Sequence, residues 1–157
     1  MPPSNVLSLQ GHRLLQVGVA LLVFSSFEGF AIPYVAAPRL GLSAHTLSAL
    51  QGVLLLALGL MWPKLKLGGT TSRMAFGLLI YSAVAILAAY VIAAAWGAGN
   101  ETMPLAAGAA HGSALQETVI KVVAYSSAPT GLVSLALILW GLRVGDSQSP
   151  SEGVGSR

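Results

Sequence analysis

Met74-Ala-Phe-Gly-Leu-Leu-Ile-Tyr-Ser-Ala-Val-Ala-Ile-Leu-Ala-Ala-Tyr-Val-Ile-Ala-Ala-Ala-Trp96 carries no charged side chain anywhere along its length. A bilayer core about 30 Å thick takes roughly 20 apolar residues of helix, so this stretch alone is long enough to cross one. Three more segments of similar character flank it: Leu14 to Ile32, Leu47 to Trp62 and Val119 to Trp140. Pro33, Pro63 and Gly97 end the first three and Gly141 follows the fourth, as expected where helices stop. The predicted fold is therefore an all-α membrane protein, a bundle of four transmembrane helices spanning residues 14–143. An N-terminal flank, residues 1–13, precedes it and a flexible tail, residues 144–157, follows.

Composition agrees: of 157 residues, 55% are hydrophobic and only 8% charged, so lipid is the solvent for most of the chain. The net charge of +3 comes from basic residues scattered at helix ends, which argues against a nucleic-acid surface. With no cysteine, disulfides, thiolate nucleophiles, iron–sulfur clusters and thiolate ligation of heme are excluded. Arg13 before an apolar run, with Val35-Ala36-Ala37 after it, imitates a signal peptide. Glu28 interrupts that run and the pattern continues into further spans, so the segment reads as the first helix. Arg13, Lys64, Lys66, Arg73, Arg143 and Arg157 fall on one side of the predicted bundle and only Arg39 and Lys121 on the other. The excess of positive charge places both termini and the Pro63 to Arg73 turn in the cytoplasm. Trp62, Trp96 and Trp140 are expected at the lipid–water interface. Met1 to Leu9 and Asp146 to Arg157 read as mobile tails. Ala49 to Leu58 and Ala128 to Leu137 share a faint pattern, compatible with duplication of a helical hairpin.

An ionisable side chain inside a span costs several kcal/mol and needs a partner, a cavity or a function. On this topology Glu28, His45, Gln51, Tyr90, Lys121 and Tyr125 all fall in the half of the bundle away from the termini, with His45 just before the second helix. Glu28 reads either as the partner of Lys121 or the cap of a neighbouring helix, or as a working carboxylate. Tyr90 and Tyr125 read as interface anchors or site residues, Gln51 as a bond between helices or a substrate contact, and His45 as a helix-end residue or a ligand. Gly29, Gly52 and Gly59 permit close helix packing. No phosphate-binding glycine loop, zinc spacing or nucleophile elbow is present.

Pro38-Arg-Leu-Gly-Leu-Ser-Ala-His45, followed by Gln51-Gly52 and by Leu58-Gly-Leu-Met-Trp-Pro-Lys-Leu-Lys-Leu67, resembles the signature of the hydroxylaminobenzene mutase family, small bacterial membrane proteins of four helices. Tyr81, Trp96-Gly-Ala-Gly99, Met103-Pro104 and Leu139-Trp-Gly-Leu-Arg143 extend the likeness over residues 12–145. The Ala-His pair with an amide six positions on also resembles styrene oxide isomerase. The first resemblance implies a mutase of the bacterial inner membrane that turns aryl hydroxylamines into 2-aminophenols, a step in nitroaromatic degradation. The second implies a homotrimer whose histidine, here His45, binds ferric heme b as a Lewis acid, with Gln51 in the place of an asparagine and Tyr90 as the site tyrosine. Together they mark His45 as the heme-iron ligand and Gln51, Tyr90 and Glu28 as catalytic candidates acting on a small aromatic substrate. The alternatives are an epoxide isomerase taking aryl epoxides to aldehydes, or a non-catalytic heme-binding or structural subunit.

Overall fold

A computed structural model of the chain describes residues 3–143, and the segment 144–157, for which a flexible tail is expected, lies outside them. Four long helices make up the bundle: α1 (Pro3–Ala31), α2 (Pro38–Met61), α3 (Gly69–Trp96) and α5 (Ala114–Gly141), with the single turn α4 (Pro104–Ala107) in the last connection. All four long helices meet the length and composition of a membrane span. This is an integral membrane protein.

The bundle is two antiparallel hairpins, α1 against α2 and α3 against α5, joined chiefly through α2 and α3. Small residues bring α1 and α2 together. A Cβ on Gly11 would lie 2.8 Å from the Gly59 carbonyl oxygen, and one on Gly18 would lie 2.8 Å from that of Gly52. The approach is reciprocal, at 2.9 Å for both Gly59 and Gly52. Spaced seven apart on each helix, these glycines form two rungs of a ladder, as in close helix packing inside membranes. In α5, Gly131 faces α3 with its Cβ position against Ser82 Oγ, so the matching glycines of the faint repeat, Gly52 and Gly131, both sit where a hairpin closes.

Every long helix extends beyond its apolar run. α1 starts at Pro3, so Pro3 to Leu9 is helical where a mobile flank was expected. Leu7 packs into the core cluster with Leu14, Leu58, Trp62 and Leu79, and that burial holds the first turns in place. α2 starts at Pro38, whose fixed φ suits the first helical position, and not at Leu47. The hydroxyls of these first turns bond back into the helix, Ser43 Oγ donating to Arg39 O at 3.0 Å and Thr46 Oγ1 to Leu42 O at 3.0 Å. α5 starts at Ala114 under a capping box in which Ser113 Oγ accepts from Gln116 N and Gln116 Oε1 accepts from Ser113 N. α3 ends at Gly97 in the left-handed region, φ 63°, with Ala98 N–H donating to Ala93 O at 3.0 Å.

Trp96 and Trp140 are 44% and 60% exposed, as interface residues should be, but Trp62 is fully buried. It meets Phe76 edge to face at 6.1 Å and donates its indole N–H to Gln10 Oε1 at 3.1 Å. An indole that finds both an apolar wall and an acceptor inside the bundle gains more there than at the interface.

Candidate active site: a histidine held between two helices

The third rung of the α1/α2 ladder, seven residues beyond Gly18 and seven before Gly52, is Ser25 against His45. The start of α2 at Pro38 puts His45 two turns inside the helix, where a connection residue was expected. Its Nδ1 lies 2.8 Å from the carbonyl oxygen of Ser25 and 3.1 Å from Ser25 Oγ, while Ser25 Oγ donates to the His45 carbonyl at 2.9 Å. A carbonyl oxygen only accepts, so contact at 2.8 Å assigns the proton to Nδ1. In the neutral ring Nε2 then carries the free lone pair, the tautomer that suits a metal-binding imidazole.

Gly29 leaves room for the ring beside this bond. Ser25 O is already the acceptor of a mid-helix turn, and a side chain four residues on would cover its flank. At Gly29 a Cβ would sit 3.3 Å from His45 Cε1 and 3.4 Å from Nδ1. A methyl there would crowd the imidazole, which would have to give by a few tenths of an ångström.

Glu28 joins the same group. Ser48 Oγ lies 3.2 Å from Glu28 Oε2 and 2.9 Å from the His45 carbonyl, two acceptors that share its one proton. The carboxylate also lines an apolar cavity of about 320 Å³ between α1 and α3, walled by Phe24, Phe27, Ile32, Val91 and Ala94, with Glu28 the one ionisable side chain on its surface among the described residues. The Glu28–Lys121 ion pair, one of the readings open to Glu28, does not form among the described residues. Lys121 Nζ faces Glu101 Oε2 at 3.8 Å across the last connection, and both side chains are exposed.

The remaining candidates stand apart from this network. Six residues along a helix rotate the side chain by about 120° to one side, so Gln51 leaves the α1 face that His45 uses. It lines a small cavity of about 90 Å³ with Ser82, Leu79 and Gly131 from α3 and α5, and its Oε1 is buried without a partner among the described residues. Tyr90 is half-buried against the cluster of Ala37, Leu40, Ala93 and Ile120 at the end of the bundle away from the termini. Tyr125 is exposed on α5. Among the described residues no three His, Asp or Glu side chains converge.

Ser25 and Ser48 escaped the sequence reading because serine is ordinary in membrane helices, although the seven-residue spacing Gly11, Gly18, Ser25 was visible. Glu117 escaped it too. Its buried carboxylate accepts backbone N–H groups of Gly99 at 2.7 Å, Gly112 at 3.0 Å, Glu101 at 3.2 Å and Asn100 at 3.3 Å, drawing the 97–113 connection onto the start of α5. Arg39 holds the other side of that connection by donating to Leu105 O at 3.0 Å.

The family model of styrene oxide isomerase matches residues 10–143. Hydroxylaminobenzene mutase HabB of Ectopseudomonas oleovorans is 47% identical over 132 residues, which are 84% of this chain and 80% of that protein. Hydroxylaminobenzene mutase HabA of the same organism is 32% identical over 129 residues, 82% of this chain and 96% of that one. No solved structure matches the chain. These likenesses set aside the reading as a non-catalytic subunit. The matched region takes in α1 from Gln10 onward, the other three long helices whole and the His45 group, and the chain belongs to the styrene oxide isomerase family, with hydroxylaminobenzene mutases among its relatives, and is an isomerase.

Proposed function

We propose that this isomerase rearranges aryl hydroxylamines such as hydroxylaminobenzene to 2-aminophenols. The observation that supports this most is the apolar cavity beside Glu28, tied through Ser48 to His45. The reaction breaks the N–O bond, forms a C–O bond at the ortho carbon, removes the proton there and returns one to nitrogen, with no net change in atoms or electrons. As the N–O bond opens, positive charge spreads into the ring. Phe24, Phe27, Ile32 and Val91 would hold the ring away from water, which otherwise captures such a cation at other ring positions. The Glu28 carboxylate would stabilise the charge, accept the ortho proton and pass it toward nitrogen. Gln51 and Tyr90, which do not line this cavity, are proposed to influence turnover by holding α2 and α3 around it.

Ferric heme b is the proposed cofactor, and the donor chemistry at His45 fits it: one imidazole, with Nδ1 engaged by a carbonyl and the lone pair left on Nε2. Bound there, it would supply a Lewis acid for the departing oxygen. A homotrimer in the bacterial inner membrane, with both termini cytoplasmic, completes the proposal. The family match favours a second reading, isomerisation of aryl epoxides such as styrene oxide to aldehydes, which makes the same demand for an electrophile at oxygen and a dry pocket.

An absorption spectrum of detergent-purified protein tests the cofactor. His45→Ala is expected to remove the Soret band and activity together, with His12→Ala and His111→Ala keeping both. A normal band in His45→Ala overturns the ligand assignment. Glu28→Gln should keep the band and slow turnover by about 10²-fold, within the range typical of a lost acid–base group.

A further inference from the structure

At the end of the bundle that holds the described chain termini, α1 and α3 flank a further cavity of about 330 Å³, lined by Asn5, Val6, Leu9, Gln10, Arg13, Arg73 and Phe76. We propose that it binds the phosphodiester headgroup of an anionic phospholipid, with Arg13 and Arg73 as the two anion-binding groups.

Depth supports this first. Arg13 immediately precedes the apolar run beginning at Leu14, and Arg73 immediately precedes the one beginning at Met74. Two guanidinium groups from different helices therefore face one cavity at the level where hydrocarbon gives way to headgroups. The polar lining is dominated by donors, with the amide of Asn5 also offering an acceptor. Gln10 is buried, and its Oε1 already accepts from Trp62 Nε1 and Ser72 Oγ, so what it has left to offer is its NH₂ donor. A guanidinium has no acceptor either, and its planar fork matches two oxygens of a phosphate. Charge at this end is uncompensated among the described residues: Arg13, Lys64, Lys66, Arg73 and Arg143 all lie here, while Glu28, Glu101 and Glu117 lie toward the opposite end. The rest of the wall, Val6, Leu9 and Phe76, is apolar and suits the glycerol and upper acyl carbons of a lipid better than a free ion in water. Basic pockets between transmembrane helices are a known physical solution for anionic headgroups.

The test uses full-length protein, delipidated in neutral detergent and examined by native mass spectrometry with phosphatidylglycerol, phosphatidylcholine or inorganic phosphate added. The wild type is expected to retain phosphatidylglycerol in preference to phosphatidylcholine. Arg13→Gln/Arg73→Gln should weaken that retention by about 30-fold, the product of two interfacial charges. Lys64→Gln/Lys66→Gln, which removes two charges at the same end outside the cavity, should retain the lipid. Equal retention of the two lipids by the wild type, a comparison that needs no variant, overturns the proposal, as does equal loss in the two double variants. Inorganic phosphate displacing phosphatidylglycerol at equal concentration overturns the lipid in favour of a soluble anion.

Discussion

Gly18→Ala separates packing from every other effect of a methyl group in this bundle. The new Cβ would lie 2.8 Å from the Gly52 carbonyl oxygen and 2.9 Å from Leu56 Cγ, whereas ordinary contact begins at 3.4 Å. The helices must therefore part by 0.6 Å, the difference between 3.4 and 2.8, and the obstacle is backbone, which cannot rotate away. Overpacking of this kind costs about 1–3 kcal/mol. Alanine is also the better helix former by about 1 kcal/mol, which hides part of the loss. Gly77→Ala supplies the reference, because a Cβ there meets nothing within 4 Å. Reversible unfolding in mixed micelles should place Gly18→Ala below Gly77→Ala by about 1–3 kcal/mol, the propensity term cancelling between them. The next rung is Ser25 and His45, so the parting should also stretch the 2.8 Å bond to His45 Nδ1. The ¹⁵N signals of labelled histidine should then show a weaker Nδ1 hydrogen bond in Gly18→Ala and no change in Gly77→Ala. Equal stability of the two variants would refute the glycine ladder as the feature that sets the α1–α2 distance.

Gly29→Ala tests the seat of the histidine: a methyl 3.3 Å from Cε1 should displace the ring, and the same ¹⁵N signals should shift while overall stability moves little. Glu117→Ala strips the acceptor from four backbone N–H groups, at about 1–3 kcal/mol for a buried donor left unpaired, and should expose the 97–113 connection to added protease well before the helices unfold. Gln51→Ala and Tyr90→Phe should slow turnover with His45 chemistry intact; unchanged rates in both would remove them from the site. Reporter fusions after Arg73 and near Gly108 should report opposite sides of the membrane, the first cytoplasmic.

The four spans were legible because their signal is length and apolarity, which lipid enforces directly. Their starts were not, because the turns beyond each apolar run are polar: Ser43 and Thr46 satisfy their hydroxyls within α2, and Ser113 with Gln116 closes the start of α5, so polarity there does not mean a connection. Trp62 looked like Trp96 and Trp140 in sequence, and its core packing and the Gln10 acceptor across the hairpin appear only in three dimensions. Depth along each helix placed Glu28, His45, Gln51 and Tyr90 in one half of the bundle, but depth says nothing of direction around the axis. Rotation about α2 separates Gln51 from His45, and pairing of α1 with α2 gives Glu28 Ser48 in place of Lys121. The grip on His45 depends on a backbone carbonyl, an acceptor every residue carries and no sequence distinguishes.

The most direct measurement offers phenylhydroxylamine and styrene oxide side by side to purified, oxidised, heme-replete protein, without NAD(P)H or dioxygen. The proposed function requires 2-aminophenol as the main product of the first, formed faster than aldehyde from the second and abolished by His45→Ala. Faster epoxide opening would make the protein an epoxide isomerase, and turnover of neither substrate would contradict the assignment of an isomerase site to Glu28 and His45.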